Sequence, residues 1–226
     1  MDNEIKYFVR TTGQRHFDYS PLKTISLYDY KHQAIQSFIE QLEQISEYDA
    51  VLLEDDLVLC KNFQEEIEKV VAKYPNYIIN FFEDPWTYET TFVRSYPFEW
   101  NQCTYYPKGV GKQIAAMMRN LLHEFPSNQI SYAQIESVSL FKLNIPHMIY
   151  RPCLVQHNDI KSILWLDGLQ RKRTTIWFKD YLDELGISYK DAYTTENVEK
   201  LKEVADKHLN NCAKEFERNK EVLKNE

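Results

Sequence analysis

The sequence predicts an α/β domain with a mostly parallel central sheet flanked by helices, followed by a C-terminal helical extension. Short apolar runs alternate with stretches whose apolar residues recur at helical spacing, which is typical of a parallel sheet covered on both faces. A length of 226 residues allows one such domain and a helical appendage. We therefore expect the domain to span residues 1–170 and the extension residues 171–226.

Each element follows from a local pattern. Strands are predicted where apolar and β-branched residues cluster, at 5–9, 24–30, 50–53, 77–82 and 148–150. Helices are predicted where apolar residues recur every three or four positions, at 31–47, 63–71, 110–122, 176–185 and 196–226. A further helix is predicted over 132–143. Asn62 is placed to cap the second helix and Gly186 to end the fifth. Residues 83–106 are aromatic and without periodicity, which indicates a long loop that covers the substrate.

Composition excludes several classes of protein. The net charge of −7 gives no overall basic field for sequence-independent nucleic-acid binding. Only five glycines are present, without a GxGxxG or GxxxxGK[ST] string, which argues against a dinucleotide-binding Rossmann enzyme or a P-loop NTPase. The four cysteines form no CxxC pair and are expected to be free thiols rather than zinc ligands. Without an apolar run of membrane-spanning length or a signal-like N-terminus, we expect a soluble, cytoplasmic protein with no membrane span.

The strongest chemical signal is a run of three acids, Glu54, Asp55 and Asp56, at the end of an apolar strand. The carboxyl ends of strands in an open α/β sheet face the crevice where ligands bind. Carboxylates there are suited to Mg²⁺ or Mn²⁺, which keep coordination positions open for a nucleotide diphosphate. The alternative is an acidic turn that only caps the following helix.

A second signal lies near the far end of the domain. His157 follows a predicted strand and precedes Lys161 and Ser162. Imidazole is a good ligand for Mn²⁺-like ions, and an ammonium group four residues later can neutralise a phosphate. The alternative is a hydrogen-bonded histidine with only a structural role.

Together these segments resemble the motifs of GT-A glycosyltransferases. Residues 54–56 resemble the Glu-Asp-Asp form of the DxD motif, and the Pro-Cys-Leu-Val-Gln-His string at 152–157, with 161–162, resembles the segment that supplies a metal-binding histidine. The similarity is strongest to small bacterial and bacteriophage glycosyltransferases that read Tyr-Phe-Val-Arg near the start, here 7–10, and Asn-Gln-Cys in the middle, here 101–103. It implies a GT-A domain over residues 5 to about 165.

This resemblance implies that Asp56 and His157 bind Mn²⁺ or Mg²⁺ and that the donor is a nucleotide-sugar, with UDP expected. The residues implied to contact the donor are Val9, Arg10, Thr11, Arg15, Asp29, Glu54, Asp55, Lys161 and Ser162. Two departures are present. The acids are contiguous rather than spaced, and Asn158 replaces the glycine that usually follows the histidine.

The catalytic base is predicted less directly. An inverting transferase needs a carboxylate to deprotonate the acceptor hydroxyl, and Glu136 is the acid near the start of the helix that precedes the histidine segment. A solvated helix residue is the alternative, and a retaining transferase needs no such base. Trp100, Asn101 and Gln102 offer an aromatic platform and amide donors where donor sugar and acceptor would meet. Trp100 as a core residue is the alternative.

Three function classes stay open: a metal-dependent glycosyltransferase, a metal-dependent phosphodiesterase or nuclease using the same acids, and a nucleotide-sugar-binding module without turnover. The acceptor would be a hydroxymethylated base in phage DNA or a glycan. Arg171, Lys172 and Arg173 form a local basic patch that could hold a phosphate backbone or simply face solvent. The apolar stripe of the C-terminal helices is expected to pack on the domain or on a second copy in a homodimer.

Overall fold

The computed structural model describes residues 4–30, 33–82, 91–93, 101–124, 131–158 and 175–222. Its strands are β1 (Lys6–Thr11), β2 (Thr24–Tyr28), β3 (Ala50–Glu54), β4 (Leu57–Leu59), β5 (Ile78–Asn80), β6 (Thr91–Val93), β7 (Cys103–Tyr106), β8 (His147–Ile149) and β9 (Val155–His157). Its α-helices are α1 (Ala34–Ile45), α2 (Phe63–Lys73), α3 (Val110–Glu124), α4 (Tyr132–Leu143), α5 (Lys179–Leu185) and α6 (Thr195–Val222).

The central sheet has seven strands in the order β2-β1-β3-β7-β5-β8-β6. Strand β1 runs parallel to β2 and β3, and β5 runs parallel to β8. Strand β7 is antiparallel to both β3 and β5, and β6 is antiparallel to β8. All strands except β6 and β7 therefore share one direction, which confirms the predicted α/β class with a mostly parallel sheet.

Helices cover both faces of this sheet. Alternate residues of β3 belong to different cores, with Val51 and Leu53 on one side and Ala50 and Leu52 on the other. The first core contains buried side chains of α2, α5 and α6, and the second contains those of α1, α3 and α4. The alternation places three helices on each face.

Helices α1 and α3 approach each other closely at Gly111. A Cβ atom built on this glycine would lie 2.2 Å from the carbonyl oxygen of Leu42. Any side chain larger than hydrogen would force the two helices apart, so the absence of a Cβ permits this packing.

The prediction of one long loop over 83–106 is wrong in part. The segment contains β6 and also β7, which lies at the centre of the sheet between β3 and β5. All four residues of β7 are buried, so its pattern lacks the alternation that marks a half-exposed strand.

The predicted end of α5 is confirmed, whereas the predicted side-chain cap at the start of α2 is absent. Gly186 ends α5 with a φ of 63°, as expected for a C-terminal glycine. Asn62 stands immediately before α2, but its φ is 57° and its side chain makes no capping hydrogen bond. A side chain caps a helix from an extended backbone, and the left-handed backbone of Asn62 differs from that conformation. The short strand β4, which the sequence did not indicate, ends at Leu59 just before this residue. Cys60, Cys103 and Cys153 are buried free thiols, as predicted.

The beginning of α6 packs on the body of the protein. Leu201 and Ala205 are buried in the same core as Trp177 and Leu182. The same core contains Val9 and Val51 of the sheet, so the first part of the predicted stripe packs on the domain. The side chains of the rest of the stripe lie outside the described residues, and packing on a second copy stays a prediction. Within the described part of the chain, no helix has the length and apolarity needed to cross a membrane.

Candidate metal centre

Pairing between β4 and β9 builds the candidate site. Strand β3 ends at Glu54, a turn at Asp55 and Asp56 follows, and β4 then pairs antiparallel with β9 so that Leu57 lies opposite His157. The backbone N–H of Asn158 donates to the carbonyl oxygen of Asp56 over 3.0 Å. This two-stranded sheet brings together the two residues that the sequence predicted as metal ligands.

His157 and Asp56 are in direct contact. The Nε2 atom of His157 lies 3.3 Å from Oδ2 of Asp56, and both side chains are buried. Glu54 completes the cluster, since one ligand atom from each of the three residues lies within 4.8 Å of the others. The structure thus adds Glu54, which the sequence assigned to the donor, to the candidate metal ligands.

The cluster fits a divalent ion. Two carboxylates and an imidazole are a donor set that Mn²⁺ accepts, and the oxygen ligands also suit Mg²⁺. The buried Oδ1 atom of Asp56 accepts no hydrogen bond from any residue that the structure describes. Such an atom carries a desolvation cost that a bound cation would remove.

Arg15 supplies positive charge to the two aspartates. Its Nη1 atom lies 3.2 Å from Oδ1 of Asp55 and also contacts Oδ2 of Asp56. Thr11 donates its hydroxyl to Oδ2 of Asp55 over 2.6 Å. Burial acts to raise the pKa of Asp56, but the hydrogen bond and charge of His157 and the charge of Arg15 outweigh it and hold that pKa below its usual range. Asp56 is therefore ionised at neutral pH, as a metal ligand must be.

Two tyrosines that sequence reasoning missed fix the acidic turn. Tyr132 donates its hydroxyl to Oε1 of Glu54 over 2.9 Å. Tyr19 donates to the backbone carbonyl of Glu54 over 2.6 Å and accepts from the N–H of Leu57 over 3.1 Å. Tyr19 lies in a loop without a pattern, so no local signal marked it, but Tyr132 stands one helical turn before Glu136.

Arg10 is a buried support for Glu54. The carbon atom of its guanidinium lies 4.8 Å from the ring centroid of Phe38 and 4.5 Å from that of Tyr132, and the two rings also pack on each other. Its Nε donates to Gln41 over 2.9 Å, and its Nη1 lies 3.8 Å from Oε1 of Glu54. These contacts orient the carboxylate of Glu54, whereas the sequence expected Arg10 at the nucleoside.

Glu136 is completely buried, with 0% exposure, so the alternative of a solvated helix residue is wrong. Its Oε1 accepts from the Tyr106 hydroxyl over 2.7 Å, and its Oε2 accepts from the side-chain amide of Asn101. Burial raises the pKa of Glu136 to about 7, against the opposing effects of Tyr106, Arg10 and Asn101. Asn101 therefore contacts the predicted base, while the role of that base stays a prediction.

The remaining predicted residues are dispersed. Val9 is fully buried in the core below the acidic turn. The Oδ1 atom of Asp29 accepts a hydrogen bond from the backbone N–H of Gln33, and the backbone N–H of Asp29 donates to the carbonyl oxygen of Thr11. The carbonyl of Gln102 accepts from the N–H of Glu54 over 2.9 Å. The predicted residues that lie outside the described part of the chain are Trp100, Lys161, Ser162, Arg171, Lys172 and Arg173.

A scan against models of known protein families finds no match, and no curated protein matches the sequence either.

Proposed function

We propose that the protein is a metal-dependent glycosyltransferase of the GT-A type that transfers a sugar from a nucleotide-sugar, with a UDP-sugar expected, to a hydroxyl acceptor. The observation that carries this proposal is the contact between Asp56 and His157 at the carboxyl end of β3. These are the residues of the two sequence motifs that resemble GT-A enzymes. They lie about a hundred positions apart in the chain, so their meeting does not follow from local structure.

In the proposed reaction Asp56, His157 and Glu54 hold the metal ion. When bound, the ion stabilises the charge that develops as the nucleotide diphosphate leaves. Tyr132 and Arg10 keep Glu54 in place, and their contacts need no rearrangement for this. The protein would thus present Glu54 as an oriented ligand at the crevice where donors bind in α/β sheets.

Glu136 is the proposed general base if the transferase inverts the anomeric configuration. A pKa of about 7 suits a base that works near neutral pH. Glu136 is completely buried and its two oxygens accept hydrogen bonds from Tyr106 and Asn101, so the packing around it has to open before an acceptor hydroxyl reaches the carboxylate. A retaining enzyme would use Glu136 only as part of this buried network.

The proposal is tested by calorimetry with Mn²⁺ and UDP, followed by assays for hydrolysis of a set of nucleotide-sugars. We expect Mn²⁺-dependent UDP binding and slow hydrolysis of at least one donor. The Asp56→Asn variant should lose both, while Asp183→Asn, the same change at an exposed side chain on α5, should retain both. Retention of full metal-dependent binding by Asp56→Asn would contradict the assignment.

The same measurements separate the other two classes. Binding of the donor without turnover, under all conditions, identifies a binding module. Absence of UDP binding together with Mn²⁺-dependent cleavage of bis(p-nitrophenyl) phosphate identifies a phosphodiesterase. Among the described residues, only one group of three potential ligands is found, which favours a single-ion site.

The acceptor is tested separately with hydroxymethylated DNA, plain DNA and glycans, and hexose addition is read by mass spectrometry. If DNA is the acceptor, transfer should fall steeply as salt rises from about 50 to about 200 mM, because binding to the backbone releases counterions. Charge reversal at Arg171 and Arg173 should weaken transfer to DNA and leave donor hydrolysis unchanged. A saccharide acceptor should show neither effect.

A further inference from the structure

One oxygen of the candidate metal centre is shared between two nitrogen groups. Oδ2 of Asp56 contacts both Nη1 of Arg15 and Nε2 of His157, while Oδ1 accepts no hydrogen bond from the described residues. The same Nη1 of Arg15 also lies 3.2 Å from Asp55. The guanidinium of Arg15 thus stands where a cation would meet these carboxylates.

Two arginines offset part of the negative charge of the three acids in the turn. Arg10 lies beside Glu54, and Arg15 bridges the two aspartates. Removing the charge of Arg15 would leave the largely buried carboxylate of Asp55 without its ion-pair partner and that of Asp56 with His157 alone, which is costly. Adding a divalent ion while Arg15 stays would place like charges within a few ångströms of one another, which is also unfavourable.

The guanidinium of Arg15 can move away from the aspartates without disturbing the sheet. Strand β1 ends at Thr11, and Arg15 lies in the following segment, which has neither helix nor strand. Gly13 turns the chain there with a φ of 76°, and its N–H donates to the hydroxyl of Thr11. The hydrogen bond from Thr11 to Asp55 can hold the aspartate when the guanidinium leaves.

We propose that Arg15 is an internal counter-ion of the acidic site: its guanidinium occupies the site in the metal-free protein and competes with the divalent ion for Asp56. This inference rests on the proposed function, since it concerns the same metal centre. It predicts that Arg15 lowers metal affinity while it stabilises the metal-free fold. A residue with only a structural role would not produce opposite effects on these two quantities.

The experiment compares native protein with Arg15→Gln, Arg15→Lys and Arg119→Gln. The last variant removes an equivalent charge from a partly exposed ion pair with Glu43 and serves as the control. Calorimetry and electron paramagnetic resonance measure binding of Mn²⁺ alone. Arg15→Gln should bind Mn²⁺ about tenfold or more tightly than native protein, because the competing charge is gone. Arg15→Lys should remain within about threefold of native protein, and Arg119→Gln should match it.

Thermal denaturation gives a second readout. Without metal, Arg15→Gln should melt about 5 °C or more below native protein, and saturating Mn²⁺ should raise its melting temperature by more than it raises that of native protein. If Arg15→Gln is unfolded without metal, addition of Mn²⁺ should restore its circular dichroism spectrum. Failure of that recovery would overturn the inference.

Equal or weaker Mn²⁺ affinity in a folded Arg15→Gln protein, with native protein still binding the ion, would overturn the counter-ion role and leave the proposed function standing. No Mn²⁺ binding by native protein or any variant would overturn both. The two proposals therefore fail in distinguishable ways.

Discussion

Replacing Glu136 by glutamine tests the buried carboxyl group directly. Glutamine is a neutral side chain of the same shape and corresponds to the protonated form of glutamate. Its oxygen can accept the hydrogen bond from Tyr106. Its amide can donate to Oδ1 of Asn101, which is buried and accepts no hydrogen bond from the described residues, once the Asn101 amide has turned over. The substitution should therefore fit the native structure.

The size of the effect follows from the pKa. The pKa of Glu136 is about 7 in the folded protein against 4.5 for an ordinary glutamate. Between these values the folded protein holds a proton that the unfolded chain has released, so the free energy of unfolding falls as pH rises. The stability that the proton on Glu136 contributes is fully present below about pH 4.5 and is lost as the pH rises to about 7. The total is about 3 kcal/mol, at about 1.4 kcal/mol per pH unit.

The Glu136→Gln variant should not show this fall in the free energy of unfolding, because glutamine does not titrate. We expect Glu136→Gln to match native stability near pH 5 and to exceed it by about 2–3 kcal/mol at pH 8. Urea denaturation of both proteins from pH 5 to pH 8, followed by circular dichroism, measures the difference. A stability difference that does not change with pH would refute the raised pKa, and with it the fully buried environment.

Activity of the same variant decides the chemical role. If Glu136 is the general base, transfer should fall by about a hundredfold or more while donor binding is unchanged. A loss below tenfold would remove Glu136 from catalysis. A protein that becomes more stable and inactive together would show that the buried acid is kept for chemistry rather than for the fold.

Three further substitutions test the architecture around the site. Tyr132→Phe removes the hydrogen bond to Glu54 and should weaken Mn²⁺ binding by roughly fivefold in calorimetry, with the helical circular dichroism signal retained. An unchanged Mn²⁺ affinity would show that Tyr132 does not support the site. Gly111→Ala should lower the free energy of unfolding by about 2 kcal/mol or more, because its methyl group would collide with the carbonyl of Leu42, and a native-like urea midpoint would contradict this helix contact. Leu201→Ala should cost about 2–4 kcal/mol in the same urea assay if α6 is part of the core, and a cost below about 0.5 kcal/mol would indicate a detachable extension.

The sequence was informative where the signal is local. The apolar strand before Glu54 and the histidine after a second strand placed both halves of the site at strand ends, and the structure brings Asp56 and His157 together. Helices α1, α2 and α3 were also found, because their apolar residues recur at helical spacing. Helix α4 was predicted with both of its observed ends, although its apolar residues form no regular stripe. These features depend only on neighbouring residues.

What escaped prediction depends on tertiary contacts. Strands β4 and β9 have three residues each, too few to show a period, and their existence depends on each other. Buried polar groups were misjudged for a related reason. Glu136 was predicted as a base with a solvated helix residue as the alternative, and neither its complete burial nor the packing of Arg10 against Phe38 follows from the local pattern. Polar residues are usually exposed, so sequence reasoning assigns them to the surface.

The pairing of Leu57 with His157 also has a consequence for how the protein matures. Contacts between residues so far apart in the chain form late, because a long segment must first be ordered at an entropic cost. During synthesis the acids of the turn leave the ribosome well before the strand that carries the histidine. An N-terminal fragment, however well it forms its first strands, therefore lacks the imidazole ligand. The ability to hold the ion would appear only when both halves of the chain have joined, and it would report complete folding rather than the presence of the acidic motif.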